Sequence, residues 1–143
     1  MTSPVSTQPQ TRPLWNAAGA FAPVRVALRL EGAAAFATAA ILFHQGGFSW
    51  VWFAVFFLTP DISMLAYLAG PRVGALGYNV AHTYAIALPL ALLGLFAVEP
   101  LVLAAALIWI AHIGFDRALG YGLKHPTGFH DTHLGPIGRA RRS

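Results

Sequence analysis

Between Val24 and Leu119 the sequence is one long apolar run, interrupted only at His44-Gln-Gly-Gly47, Gly70-Pro-Arg72 and Glu99-Pro100. The interruptions leave four stretches, each close to the ~20 residues a helix needs to cross a hydrocarbon core of about 30 Å. A soluble domain has no interior large enough to hide four such surfaces. Charge usage agrees: 10% of the 143 residues are charged and 57% are hydrophobic, where a soluble domain carries about 25% charged residues. The fold class expected is all-α, an integral membrane four-helix bundle with a disordered N-tail and an irregular C-terminal tail.

The boundaries follow from composition. Residues 1–22, rich in Pro, Ser, Thr and Gln, have little to bury and read as the disordered tail. No basic start followed by a short apolar run marks a cleaved signal peptide, so the first span is expected to serve as its own signal. Residues 23–123 form the membrane domain, and residues 124–143 a polar, basic tail. The spans are expected at about Val24–Phe43, Phe48–Ala69, Val73–Val98 and Leu101–Leu119. Arg25 and Arg29 load the first turns of the first span and must snorkel to the headgroups. Glu31 is two residues from Arg29 and does not share its helix face, so it needs a partner elsewhere. In the second span Pro60 removes a backbone hydrogen bond and predicts a kink.

Short loops make neighbouring spans antiparallel. The N-tail, the Gly70–Arg72 turn and the C-tail then share one side of the membrane. Arg12, Arg25, Arg29, Arg72, Arg117, Lys124, Arg139, Arg141 and Arg142, which are all the Lys and Arg of the chain, fall on that side or at its boundary. The positive-inside rule makes that side cytoplasmic, and the chain reads as a multi-pass protein with both termini in the cytoplasm. The pI of about 10.1 is explained by the same asymmetry, and no nucleic acid partner is expected. The lipid bilayer is the expected partner; oligomeric state is not written in the pattern. There are no cysteines, which excludes disulfides, zinc–thiolate sites and iron–sulfur clusters.

Against this apolar background the ionisable residues stand out. Counting about 1.5 Å per residue from the cytoplasmic turns, Asp61 lies roughly 13 Å in, His82 roughly 15 Å and His112 roughly 12 Å, with Asp116 one turn shallower. His112 and Asp116, four apart, share a helix face. A charged group at mid-span costs about 2.5–3.5 kcal/mol on insertion scales, so such groups face the bundle interior and find partners. Asp61, His82, His112 and Asp116 are therefore candidate catalytic residues. Asp131 and His133, one residue apart in the tail, complete a mixed nitrogen and oxygen donor set with His82, His112 and Asp116 suited to zinc, manganese or iron. Thr127-Gly-Phe129 and Gly135-Pro136 would let the tail fold back over the bundle mouth as a lid. Plainer readings exist for each group. His112 with Asp116 is equally a hydrogen-bonded pair steadying a helix end, Asp61 a cap on a broken helix, and His82 with Asn79 interhelical hydrogen-bond glue. His44, His125 and His130 lie in turns or tail and carry no argument.

Tyr67-Leu-Ala-Gly-Pro-Arg-Val-Gly-Ala75, Tyr78-Asn-Val-Ala-His-Thr-Tyr84, Ala111-His-Ile-Gly-Phe-Asp-Arg-Ala-Leu-Gly-Tyr-Gly-Leu-Lys124 and Asp131-Thr-His-Leu-Gly135 closely resemble the DUF4260 family of small bacterial membrane proteins. The resemblance covers nearly everything after the N-tail. It implies a multi-span protein of a bacterial inner membrane and brings no activity, substrate or ligand set with it.

Three functions fit these features. The first is a metal-dependent membrane hydrolase or lipid-modifying enzyme, with the His/Asp cluster near the cytoplasmic leaflet and a lipid as substrate. The second is a small proton-coupled transporter, since intramembrane Asp and His groups relay protons; the apolar outer halves of the spans count against a complete path. The third is a structural or partner protein in which the polar residues only hold the bundle together.

Overall fold

The computed structural model describes residues 22–135 and 137. The expected disordered N-tail, apart from Ala22, and the basic end at 139–143 lie outside the described residues. Helix α1 is Ala22–Gln45 and α2 is Trp50–Phe56. A 3-10 helix, Thr59–Ala69, continues α2. Then follow α3 at Pro71–Ala81, α4 at Tyr84–Phe96 and α5 at Pro100–Leu119. Four stretches are long and apolar enough to cross a membrane: Pro23–Gln45, Trp50–Ala69, Pro71–Phe96 and Pro100–Leu119. The described residues hold no β-strand, only an isolated bridge between Lys124 and Thr132. The protein is thus an all-α, multi-pass membrane protein whose outer faces meet lipid.

Span 4, the unbroken α5, is the axis of the bundle. It is 39% buried, against 0% for span 2. Helices α1 and α4 pack along it, and α3 packs on the 3-10 helix. The α1–α5 crossing is set by two glycines. A Cβ on Gly114 would stand 2.6 Å from the Phe36 amide nitrogen and 2.7 Å from the Gly32 carbonyl oxygen. Only a residue without a side chain lets the backbones approach so closely, the usual basis of helix pairing in lipid. Arg29 reaches across the same crossing and donates from Nε to the Ala118 carbonyl at 2.7 Å. That satisfies one of the open carbonyls at the α5 C-terminus. Glu31 is exposed.

Two of the four spans are not continuous α-helices. Span 2 changes to 3-10 geometry at Thr59-Pro60, where the proline lacks the N–H that an α-helix would use. The expected kink is thus a change of helix type. Span 3 breaks at His82-Thr83, where the sequence reading expected one helix from Val73 to Val98. Pro89, the residue one would suspect, sits inside α4. At the break His82 adopts φ −112°, ψ 25°, and Thr83 is extended, its Oγ accepting from the Ala85 amide at 3.3 Å. The Ala81 carbonyl, freed by the break, accepts from Trp109 Nε1 at 2.6 Å. Broken helices are tolerated at membrane depth where other protein groups take over the freed backbone bonds.

The tail beyond α5 folds back on the bundle. Gly120 ends α5 in the left-handed region, φ 97°, which glycine enters without strain. The Asn79 side chain then clamps the backbone of Lys124, donating to its carbonyl at 2.9 Å and accepting from its amide at 2.7 Å. Asn79 is therefore committed to the tail, not to His82. Lys124 is buried, with its Nζ 4.0 Å from the Phe129 ring centre and 4.9 Å from that of Tyr78. These faces offer a desolvated ammonium its electrostatic partner, and burial holds it below its ordinary pKa.

Candidate metal centre

The two helix irregularities and the continuous α5 meet at one place. Asp61 sits in the first turn of the 3-10 helix, His82 at the end of α3, and His112 and Asp116 on one face of α5. One ligand atom from each of these four side chains lies within 4.8 Å of the others. His82 Nε2 is 3.1 Å from His112 Nε2, 3.3 Å from Asp61 Oδ1 and 3.6 Å from Asp116 Oδ2. His112 Nε2 is 3.5 Å from Asp61 Oδ1 and 4.0 Å from Asp116 Oδ2. Both imidazoles are almost wholly buried, at 2% and 1% exposure, while the carboxylates are partly accessible.

The surroundings say which atoms face inward and in what state. A backbone carbonyl can only accept, so the 2.8 Å contact between His82 Nδ1 and the Tyr78 carbonyl places the proton on Nδ1. His82 Nε2 is then the ring atom aimed at His112 and at two carboxylates. Such a meeting of acceptors requires a proton or a cation between them. His112 Nδ1 has no hydrogen-bond partner among the described residues. Its polar contacts are all made by Nε2, toward His82 and Asp61, so Nε2 is the atom that carries a shared proton or ligates a cation there. Two carboxylates with two neutral imidazoles sum to a charge of −2, which a divalent cation cancels. In a low-dielectric interior that cancellation weighs heavily.

Further groups brace the cluster. Tyr78 donates from its hydroxyl to Asp116 Oδ2 at 3.0 Å, and its ring lies parallel on the His82 ring, centres 3.7 Å apart. Phe57 meets His112 edge to face, with ring centres 5.3 Å apart. Arg117 donates from one terminal nitrogen to the His82 carbonyl at 3.2 Å. Its other terminal nitrogen lies 2.8 Å from His133 Nε2, while the Leu123 amide points at His133 Nδ1, also at 2.8 Å.

The structure thus brings together Asp61, His82, His112 and Asp116 and leaves Asp131 and His133 out of that group. Asp131 accepts from the Thr127 hydroxyl at 2.7 Å, within the tail. Both His133 ring nitrogens face N–H donors, so neither is turned toward the cluster. Burial, and then the adjacent Arg117 charge, hold the His133 imidazole below its ordinary pKa. Its outer surface is exposed, but its nitrogens are the atoms turned toward Arg117 and Leu123. Tyr78 is the residue the sequence reading passed over. Its signal was available: Tyr78-x-x-x-His82 has the same four-residue spacing as His112-x-x-x-Asp116, which puts both pairs on shared helix faces.

On the other side of the cluster a cavity of about 870 Å³ opens between span 2 and α5. Its inner end is formed by Pro60, Ala81 and Trp109, next to Asp61 and His82, and its outer end by Gly47, Phe48 and Leu101. Its walls are apolar apart from Ser49, Thr59 and Ser63.

Comparison with curated proteins and with solved structures finds no match. A family model does match, over residues 25–137, which includes all four spans but for the first residues of α1, every residue of the cluster, and the folded-back tail. The chain belongs to the DUF4260 family, described as a domain of unknown function.

Proposed function

We propose that Asp61, His82, His112 and Asp116 hold a divalent metal ion within the membrane, and that this centre hydrolyses or otherwise modifies a lipid. The observation that carries the reading is the convergence of four ligand atoms from three spans within 4.8 Å, with the His82 tautomer held by the Tyr78 carbonyl. A ligating histidine whose other ring nitrogen donates to a carbonyl is the ordinary second layer of a metal site. Zinc, manganese and iron all accept this donor set. Asp116 stands furthest from the imidazoles and is already held by Tyr78. It is the carboxylate that can yield its place to a water or substrate atom, and it then lies within reach to take a proton. A bound ion supplies Lewis acidity. The protein's own part is to exclude bulk water with the buried imidazoles and to orient Asp116. The apolar walls beyond Pro60 favour chemistry at the cluster over proton passage through it. By the distribution of Lys and Arg, the tail side of the bundle faces the cytoplasm of a bacterial inner membrane.

The test is elemental analysis of protein purified in detergent without chelators, then of protein stripped and reloaded with zinc, manganese or ferrous iron. The expected result is one ion per chain, lost in folded His82→Ala and His112→Ala variants. Wild-type protein that neither retains nor takes up any of the three ions overturns the reading.

A further inference from the structure

The cavity beside the cluster is a groove that opens sideways, with Trp52 and Phe56 of its wall themselves exposed. Its span-2 wall is Trp52 and Phe56 on α2, with Thr59 and Ser63 on the 3-10 helix that continues it. The facing wall is Leu101, Ala104, Ala105 and Ile108 of α5, which lie on one helix face. Span 2 docks on the bundle through the other side of its helix: Phe53 packs edge-on against Phe43, and Phe57 against Phe36, His112 and Phe115. Those rings act as spacers, and the small Ala104 and Ala105 leave the gap that results. About 870 Å³ is near the upper end of ordinary ligand pockets, roughly 300–1,000 Å³.

Position decides what fits there. The spans Trp50–Ala69, Pro71–Phe96 and Pro100–Leu119 have their midpoints within three residues of Asp61, His82 and His112, so the cluster lies about 4 Å or less from mid-span. The cavity runs from there toward the His44–Ser49 turn and the start of α5. At mid-span a membrane lipid presents hydrocarbon; its ester groups lie at the headgroups, roughly half of a ~30 Å core away. Sinking an ester or headgroup to the cluster would desolvate polar groups along walls with almost nothing to receive them. A chain hanging down the cavity from the outer end meets no such cost.

We infer that the cavity binds one acyl chain of a membrane phospholipid, with the headgroup at the His44–Ser49 end and the distal methylenes against Pro60, Ala81 and Trp109. The assignment of the cluster as a reacting centre rests on the function proposed above; the binding of the chain does not. No residue of the cluster lines the cavity, so the chain site and the reacting centre are neighbours rather than one pocket, and the partly accessible Asp61 and Asp116 are left to meet a polar group of the lipid.

The experiment uses full-length protein in nanodiscs of phosphatidylethanolamine and phosphatidylglycerol. These are doped with a phosphatidylcholine carrying a photoactivatable diazirine on one acyl chain, either near the ester or near the methyl end. Crosslinked residues are mapped by mass spectrometry, and metal content is measured on the same samples. The methyl-end probe is expected to label Phe56, Thr59 and Ser63, and the ester-end probe Phe48 and Trp52. Labelling of Ser63, whose hydroxyl is buried, should exceed labelling of the exposed, lipid-facing Leu92 at least tenfold. Ala105→Trp, and separately Ala104→Phe, fill the cavity and should each reduce that labelling to the Leu92 level in protein that remains monodisperse. Labelling spread evenly over lipid-facing residues, a reversed order of the two probes, or full labelling in both filled variants overturns the inference. Cavity labelling in protein that binds no metal upholds the chain site and removes the metal centre. Stoichiometric metal with even labelling does the reverse.

Discussion

Replacing Tyr78 with phenylalanine removes one hydroxyl and leaves the ring in place. The ring is what stacks on His82, with centres 3.7 Å apart, so the imidazole keeps its support and the Nδ1 bond to the residue 78 carbonyl is untouched. What is lost is the 3.0 Å bond from the hydroxyl to Asp116 Oδ2. A hydrogen bond to a charged group contributes about 1.5–3 kcal/mol. At about 1.4 kcal/mol per factor of ten, Tyr78→Phe should weaken metal binding by about 10- to 100-fold, the range usual for outer-layer partners. Zinc competition against a chromophoric chelator in detergent reads this directly. Tyr84→Phe is the control: its hydroxyl is also buried but has no partner among the described residues, and zinc affinity should not change. Equal affinity of wild type and Tyr78→Phe would refute the claim that Asp116 belongs to the metal site and that Tyr78 aims it.

Other consequences follow from the same geometry. Gly114→Val forces a side chain into the Phe36 and Gly32 backbones and should destabilise the bundle by about 3 kcal/mol or more, read as a lowered thermal midpoint in detergent; an unchanged midpoint would mean the α1–α5 crossing is not as close as described. The folded-state pKa of His133 is lowered below its ordinary 6.5, so the unfolded tail binds its proton at higher pH than the docked tail does. Docking is therefore fully supported above about pH 6.5 and weakens as pH falls through the lower, folded value. Hydrogen exchange of the backbone around Gly122–Leu134 should accelerate between pH 7.5 and pH 5 relative to α5, after correction for intrinsic rates, and a His133→Phe variant should lose that pH dependence. Since the chain has no cysteine, single-cysteine variants need no background removal. Gln45→Cys should react with a membrane-impermeant maleimide on intact cells, and Arg72→Cys only after permeabilisation; the opposite pattern would invert the orientation.

Much of this protein is legible in one dimension, because the bilayer imposes a local rule. Every stretch of about 20 residues must be apolar to cross, so three short interruptions determined four spans, and the one-sided placement of Lys and Arg determined an expected orientation. The cost of polar groups at depth likewise singled out Asp61, His82, His112 and Asp116 before any coordinates. What the tertiary structure alone decided is which of the polar residues meet. His82 is 21 positions from Asp61 and 30 from His112, and no local pattern encodes contact across that distance. The break at His82-Thr83 escaped the apolar pattern because Trp109, on another helix, satisfies the carbonyl it exposes. Asp131 and His133 resembled ligands by composition, but backbone turns and Arg117 hold them in the tail. Burial could be predicted residue by residue because it is a property of each residue against its solvent. The site could not, because it is a property of pairs, and pairs exist only once the helices have packed.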